Sequence, residues 1–431
     1  MKKILIPLVC TMLLSACGND PAEKIAPDNS LDKCTLRFSW WGGDDRHEAT
    51  LEAIDLWNTL HPDIEIKAEY GGWDGWSEKI NTQISGGSEP DIMQINYDWL
   101  VTLSRDGEGF YDLNRLDKFL DLSGFSDNIL SFGTVNGHLN AVPVSLSGRG
   151  LFYNSRVFEQ VGASYPETWD ELIALGEVFQ PYGRYPLDLD IQSGGTAWYL
   201  SVVYVQQTTG RTFIDMDGNL GFTADDIENA LKFYKCLEDN HVIRNVRTRT
   251  DEDGNAALYQ SPEFVGGNIA GVLEWGSAVG KYESVLEDGV LEAGDFLTDN
   301  GNSDGWFIKP SLMYAISANT QHPDEAAAFM NFLLNNPDCT DILGTSRGIP
   351  ASRYAEERLE QTGKLTGLAY KNNEMLEAMN TVTISPYMEL ARMKEFYNTA
   401  IEKISYNEAD IRRVAIELHA DMTEYLDSLR K

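Results

Sequence analysis

Ten tryptophans occur in this chain of 431 residues. Six of them stand at a predicted strand end or in a glycine-containing loop. They are Trp41 in WWGG, Trp73 and Trp76 in GGWDGW, Trp198 in GGTAW, Trp275 in EWG and Trp306 in DGW. Binding groups concentrate in loops. An indole face is apolar and electron-rich, so it stacks on the slightly positive C–H face of a sugar ring. Of the other four, three have structural places. Trp57 lies on an apolar helix face, Trp40 inside a strand, and Trp169 in the first turn of a capped helix. Trp99 opens a helix after DIMQINYD and fits either role.

Hydroxyl groups on such a ligand need polar partners. Carboxylates accept from hydroxyls, while Arg and Asn donate. Asp44, Asp45 and Arg46 follow the first predicted strand. Asn96, Tyr97 and Asp98 follow the third. Arg149 lies in a Gly-containing segment, and Arg347 in the turn SRGIPAS. Asp45 and Asp98 also suit helix N-caps. These residues and the six tryptophans are the candidate ligand-binding set.

Catalytic patterns are weak. The six histidines form no HExxH, and neither GxSxG nor a P-loop is present. The five cysteines make no CxxC and no Cys/His cluster, so no zinc site is expected. Cys34, Cys236 and Cys339 read as lone thiols, with one disulfide left open. The stretches DMDGNLGFTADD (215–226) and DEDGN (251–255) lack the glycine that a calcium loop needs at its sixth position, where Leu220 and Ala256 stand. No catalytic residue, metal or cofactor is expected.

The elements that must position these residues alternate in type. CTLRFSWW (34–41) and DIMQIN (91–96) are strand candidates, and IEIKAEYG (64–71) alternates with period two. Between them, Leu51, Ile54, Trp57 and Leu60 recur at helical spacing until His61-Pro62, and WSEKINTQISGG ends on glycines. Such alternation predicts an α/β fold with parallel pairing. Thr168 and Glu171 predict a capping box at the start of a helix. Further helical patterns cover 224–240, 323–335 and 388–427. Pro143 and the glycines of AVPVSLSGRGLFYN (141–154) mark a break between two domains.

The N-terminus carries an address. Lys2 and Lys3 precede an apolar run, Ile4 to Leu14, that is too short to span a bilayer. Leu14-Ser15-Ala16-Cys17 resembles a bacterial lipobox, which implies cleavage before Cys17 and lipidation of its thiol. Residues 1–16 are then a signal peptide and 17–32 a flexible tether. Each acyl methylene contributes roughly 0.8 kcal/mol on burial, so two or three chains anchor durably. Loss of residues 1–16 leaves 415 residues, enough for two domains. The formal charge of −33 excludes nucleic-acid binding and disfavours anionic ligands.

The order of segments resembles a bacterial family 1 extracellular solute-binding protein, the maltose-binding-protein-like receptors of ABC importers. The likeness is carried by FSWWGG, HPDIEIKAEYGGWDGW, SGGSEPDIMQIN, LFYNSRVFEQVGASYPETWDEL, FVGGNIAGVLEWGSAVG, AISANTQHPDEAAAFMNFLL and TSRGIPAS. It implies a two-lobed type II fold with the ligand between lobes joined by a multi-strand hinge. Lobe 1 would hold 33–142 and 296–334, and lobe 2 would hold 143–295 and 335–431. It also implies a monomeric carbohydrate receptor that delivers an oligosaccharide to permease subunits. The protein would sit on the outer face of the cytoplasmic membrane, held only by lipid. A surface glycosidase or lyase, or the same fold binding a peptide or polyol, are the competing readings.

Cys17→Ala should abolish lipid labelling and leave the chain uncleaved or shed. Metabolic labelling with a fatty-acid probe measures this, and a labelled variant would contradict the anchor.

Overall fold

The computed structural model describes residues 33–430 except 74, 192–194, 255, 288, 289, 300–304 and 380. The signal segment, Cys17 and the tether lie outside the described residues. In chain order the strands are β1 (Cys34–Trp41), β2 (Ile64–Gly71), β3 (Ile92–Ile95), β4 (Thr134–Val135), β5 (His138–Leu139), β6 (Val142–Asn154), β7 (Gly271–Trp275), β8 (Leu291–Ala293), β9 (Phe307–Ile316), β10 (Ile349–Pro350) and β11 (Val382–Thr383). The main sheet runs β10–β6–β9–β3–β1–β2, while β4 and β5 form a separate hairpin.

Strand periodicity explains the first lobe. Leu36, Phe38 and Trp40 alternate along β1 and are wholly buried on one face. β1 pairs in parallel with β2, from Cys34 opposite Ile64 to Trp41 opposite Gly71, and with β3 on its other side. The helix Asp44–Leu60 covers that face with Ala53, Ile54 and Trp57. Trp57 meets Phe329 and Phe332 edge-on, at 5.2 and 5.3 Å, from the helix Pro323–Asn335. His61 ends the first helix by donating its N–H to the Trp57 carbonyl.

Segment 141–154 is not a loop: it holds β6, one continuous strand of 13 residues. Residues 142–148 pair antiparallel with β9, and 149–154 pair with β7 and β8. A register shift between Pro143 and Leu146 absorbs the proline, which has no N–H to donate. The glycines allow close packing rather than a turn. A Cβ on Gly150 would sit 1.8 Å from Asn372 Oδ1, and one on Gly148 would sit 2.4 Å from Leu376 Cδ1. Both contacts come from the helix Gly367–Glu377. β9 likewise joins both halves, pairing with β3 at one end and β11 at the other.

The second lobe forms around the helix Thr196–Thr209, which is buried on nearly all sides. Helices Ala224–Asp239, Ala391–Ser405 and Ile411–Leu429 pack with it in one apolar cluster. The capping box forms as expected: Thr168 Oγ1 accepts from the Glu171 N–H, and Glu171 Oε2 accepts from the Thr168 N–H, both at 3.2 Å. The helical pattern over 388–427 resolves into two helices. Asn407 takes a positive φ of 55° between them, and Asp410 caps the second by accepting from the Arg413 N–H. Among the described residues no helix is long and apolar enough to cross a membrane.

Trp57→Ala should open a cavity in the first core and lower stability by about 3–5 kcal/mol. Chemical denaturation measures this, and a loss under about 1 kcal/mol would contradict the packing described.

Candidate ligand-binding site

A cavity of about 400 Å³ opens where β6 passes from one half of the sheet to the other. Arg149 stands directly opposite Trp275 in the β6–β7 pair, so strand register sets the two side by side. Its guanidinium lies 4.6 Å from the Trp275 ring and 4.4 Å from the Tyr199 ring. Tyr199 comes from the first turns of the buried helix, whose positive dipole end borders the cavity. Lys309 of β9 pairs with Ser147, two residues before Arg149, and so joins the same face of the sheet. Its ammonium is 4.7 Å from the Trp275 ring.

Glu389 organises the floor. It ends a short turn, Pro386–Glu389, in the second lobe. Its carboxylate accepts from Lys309 Nζ at 2.5 Å and from the Tyr199 hydroxyl at 3.1 Å. Burial opposes its charge. The ammonium groups of Lys309 and Lys394, with those two hydrogen bonds, outweigh burial and hold the carboxyl at about 2. Lys394 also lines the cavity and makes no ion pair among the described residues. Opposite, Lys281 pairs with Glu274 at 3.1 Å.

The lining thus holds four cations, Arg149, Lys281, Lys309 and Lys394, against three carboxylates, Asp190, Glu274 and Glu389. Aromatic faces from Tyr199, Tyr259, Trp275 and Tyr282 complete it. The overall acidity of the chain pointed away from anionic ligands, yet the local balance is positive. Charges a few ångströms away dominate inside a cavity, whereas surface charges beyond about 8 Å are largely screened at physiological salt. Such a lining repels metal ions and suits a ring-shaped ligand carrying a carboxylate.

Three of the sequence candidates meet here: Asn96, Arg149 and Trp275. Asn96 donates to Asp98 Oδ1 at 2.5 Å. Asp98 occupies the N-cap of the short helix Trp99–Leu103 but makes no side-chain cap bond. The remaining candidates lie elsewhere. Trp41 is buried at the end of β1, against Trp99 and Trp73, and Trp73 itself is 49% exposed. Trp76 packs in the core under Lys79. Tyr97 is buried with its hydroxyl toward Met216. Trp198 stacks on Tyr397, and Trp306 stacks on Trp169 while donating to the Leu297 carbonyl. Asp44 and Asp45 are exposed in the first turn of the helix Asp44–Leu60.

Arg46 and Arg347 hold backbone and side chains together away from the cavity. Arg46 donates to the Trp41 and Ser346 carbonyls. Arg347 donates to Thr50 Oγ1 and Gln94 Oε1. Burial, then the neighbouring Arg347 charge, pull the Arg46 guanidinium down to about 10. Sequence reasoning passed over Tyr199, Lys281, Lys309, Glu389 and Lys394. Two of them left a readable signal: Lys309 in FIKPSLMYAI and Glu389 in SPYMEL are charges inside apolar runs, the pattern of a buried functional pair.

The sequence profile of the bacterial extracellular solute-binding proteins matches residues 43–338. A periplasmic solute binding protein from Pectobacterium atrosepticum is 36% identical, with a TM-score of 0.87 over 92% of this chain and 100% of that one. A periplasmic oligogalacturonide binding protein from Yersinia enterocolitica, solved with saturated digalacturonic acid, is 33% identical, with a TM-score of 0.84 over 92% of this chain and 100% of that one. A putative binding protein from Brucella abortus is 26% identical over 42% of this chain; the match spans 44% of that relative, less than half its length. The multiple sugar-binding protein of Streptococcus mutans is 23% identical over 75% of each chain. These relatives are binding proteins, and the likeness to the two structural neighbours supports the two-lobed type II α/β fold for this chain. The chain therefore belongs to the bacterial extracellular solute-binding protein family.

Proposed function

We propose that this chain is an exported, lipid-anchored receptor that captures an acidic oligosaccharide between its lobes and presents it to the permease of an ABC importer. The observation that carries this reading is the cavity itself: Arg149 against Tyr199 and Trp275, beside Lys309 and Lys394. Aromatic faces supply stacking, and the cations supply charge-assisted hydrogen bonds to a sugar carboxylate. The Yersinia enterocolitica neighbour, whose ligand is digalacturonic acid, supports the acidic choice. The Streptococcus mutans relative supports a sugar in general.

The proposed lobes keep the division into 33–142 with 296–334, and 143–295 with 335–431. Because β6 and β9 pair into both halves, closure would bend these strands rather than slide a loop. The receptor acts as a monomer tethered through Cys17. The glycosidase reading finds little support, since the matching family and relatives are binding proteins.

Titration calorimetry with digalacturonate and with maltose, a neutral disaccharide of similar size, tests the ligand class. One charged hydrogen bond is worth about 1.5–3 kcal/mol, so the acidic sugar should bind about tenfold to a hundredfold more tightly. Lys394→Met should remove much of that margin. Equal affinities for the two sugars would overturn the acidic reading, and cleavage products would overturn the receptor reading.

The acid–base behaviour of the site gives a second test. Burial, then repulsion from Glu389, raise Asp98 from 3.8 to about 6, against the pull of Lys394, Lys309 and the Asn96 hydrogen bond. The folded state therefore binds this proton more tightly than the unfolded state. Between about pH 4 and 6 the folded chain carries more protons, so stability falls as pH rises through that window and grows on acidification. In Asp98→Asn this part of the profile should flatten, and the variant should melt no lower than the parent at pH 7. Melting curves from pH 4 to 7 measure both; parallel profiles would contradict the raised value.

A further inference from the structure

We propose that Cys34, His322 and Glu325 form a binding site for a borderline-soft divalent cation of the zinc class. Read linearly, the chain offers no Cys/His cluster, but the fold makes one. The Cys34 sulfur, a His322 ring nitrogen and a Glu325 carboxylate oxygen all lie within 4.8 Å of one another. Cys34 opens β1, His322 stands at the N-cap of the helix Pro323–Asn335, and Glu325 sits in its first turn. β9 places this helix beside the sheet: Ile316 at the end of β9 pairs with Ile92, and β3 in turn pairs with β1.

The donor chemistry is specific. Thiolate, imidazole and carboxylate are the ligand types of tetrahedral zinc, with a water completing four. Metal–ligand distances of about 2.0–2.3 Å set neighbouring donors about 3.3–3.8 Å apart. His322 Nδ1 already lies 4.0 Å from Glu325 Oε2. Both side chains are partly exposed and can rotate the remaining ångström. Asp91 is the other nearby carboxylate, but its oxygens accept from the Arg37 N–H and the Thr320 hydroxyl. Burial, then the charges of Glu325 and Asp91, raise the Cys34 thiol. A bound cation would reverse that balance and release the thiol proton to solvent.

None of these three residues lines the cavity beside Arg149. Metal there would tie the first strand of the fold to the helix Pro323–Asn335 without touching the ligand.

Cobalt(II) and zinc(II) titrations of the purified chain test this. One equivalent of cobalt should give a sulfur-to-cobalt charge-transfer band, and zinc should displace it and raise the melting temperature. Cys34→Ser should abolish the band and the zinc-dependent shift, while Cys236→Ser keeps both. His322→Ala, at an exposed position, should weaken zinc binding by about tenfold or more. Calorimetry with digalacturonate should be unchanged in Cys34→Ser. Absence of the band, its survival in Cys34→Ser, or parental zinc affinity in His322→Ala would each overturn the proposal.

Discussion

Strand β6 has to satisfy the backbone hydrogen bonds of its 13 residues while changing its pairing partners along its length. An unpaired buried N–H or C=O would cost about as much as a lost hydrogen bond, so the strand can change neighbours but cannot stop pairing. Its first half pairs with β9 and its second half with β7 and β8. The handover falls between Gly148 and Arg149. Arg149, the first residue to pair with β7, therefore projects where the two halves meet. The cavity forms there because β9 and β7 diverge from a common strand. Gly148 and Gly150 bring the helix Gly367–Glu377 against the same strand, which stiffens the segment that carries Arg149.

That placement creates an electrostatic problem, which the surroundings solve locally. Lys309 is almost fully buried, and an isolated ammonium there would be costly. Glu389 sits 2.5 Å away, and the Tyr199 hydroxyl occupies its second oxygen. A buried pair of this kind adds little net stability, but removing one partner leaves an uncompensated charge. Its value lies in geometry: Lys309 cannot swing, so the ring of Trp275 and the guanidinium of Arg149 keep fixed neighbours. Lys309 is neutralised by Glu389, while Lys394 lines the cavity without an ion pair among the described residues. A chain of formal charge −33 thereby presents a positive interior site.

Arg46 and Arg347 show the same economy away from the cavity. Both are long cations whose desolvated heads meet carbonyl and hydroxyl oxygens rather than carboxylates. Through them the end of β1, the helix Asp44–Leu60, β3 and the turn at Ser346 become one unit. Residues that resemble ligand donors in sequence serve here as brackets that tie the turn at Ser346 to β3 and the helix Asp44–Leu60.

Local order was legible in the sequence because local physics decides it. Alternation along IEIKAEYG and the proline after His61 delimit β2 and the preceding helix, and the spacing of Thr168 and Glu171 specifies a capping box. Hydrophobic period and cap chemistry act within a few residues. The break inside 388–427 was not legible, since the apolar pattern continues across Asn407. Nor could a linear reading sort the tryptophans. Trp198 and Trp275 both stand near glycine, but Trp198 faces the packed centre of a lobe and Trp275 faces the cavity. Burial depends on which elements meet, and the pairing of Arg149 with Trp275 depends on strand register across more than a hundred residues. The sequence by itself determined the alternating elements, their caps and the family likeness. Only the tertiary structure decided which charges lose water together, because that needs strands distant in sequence to arrive side by side.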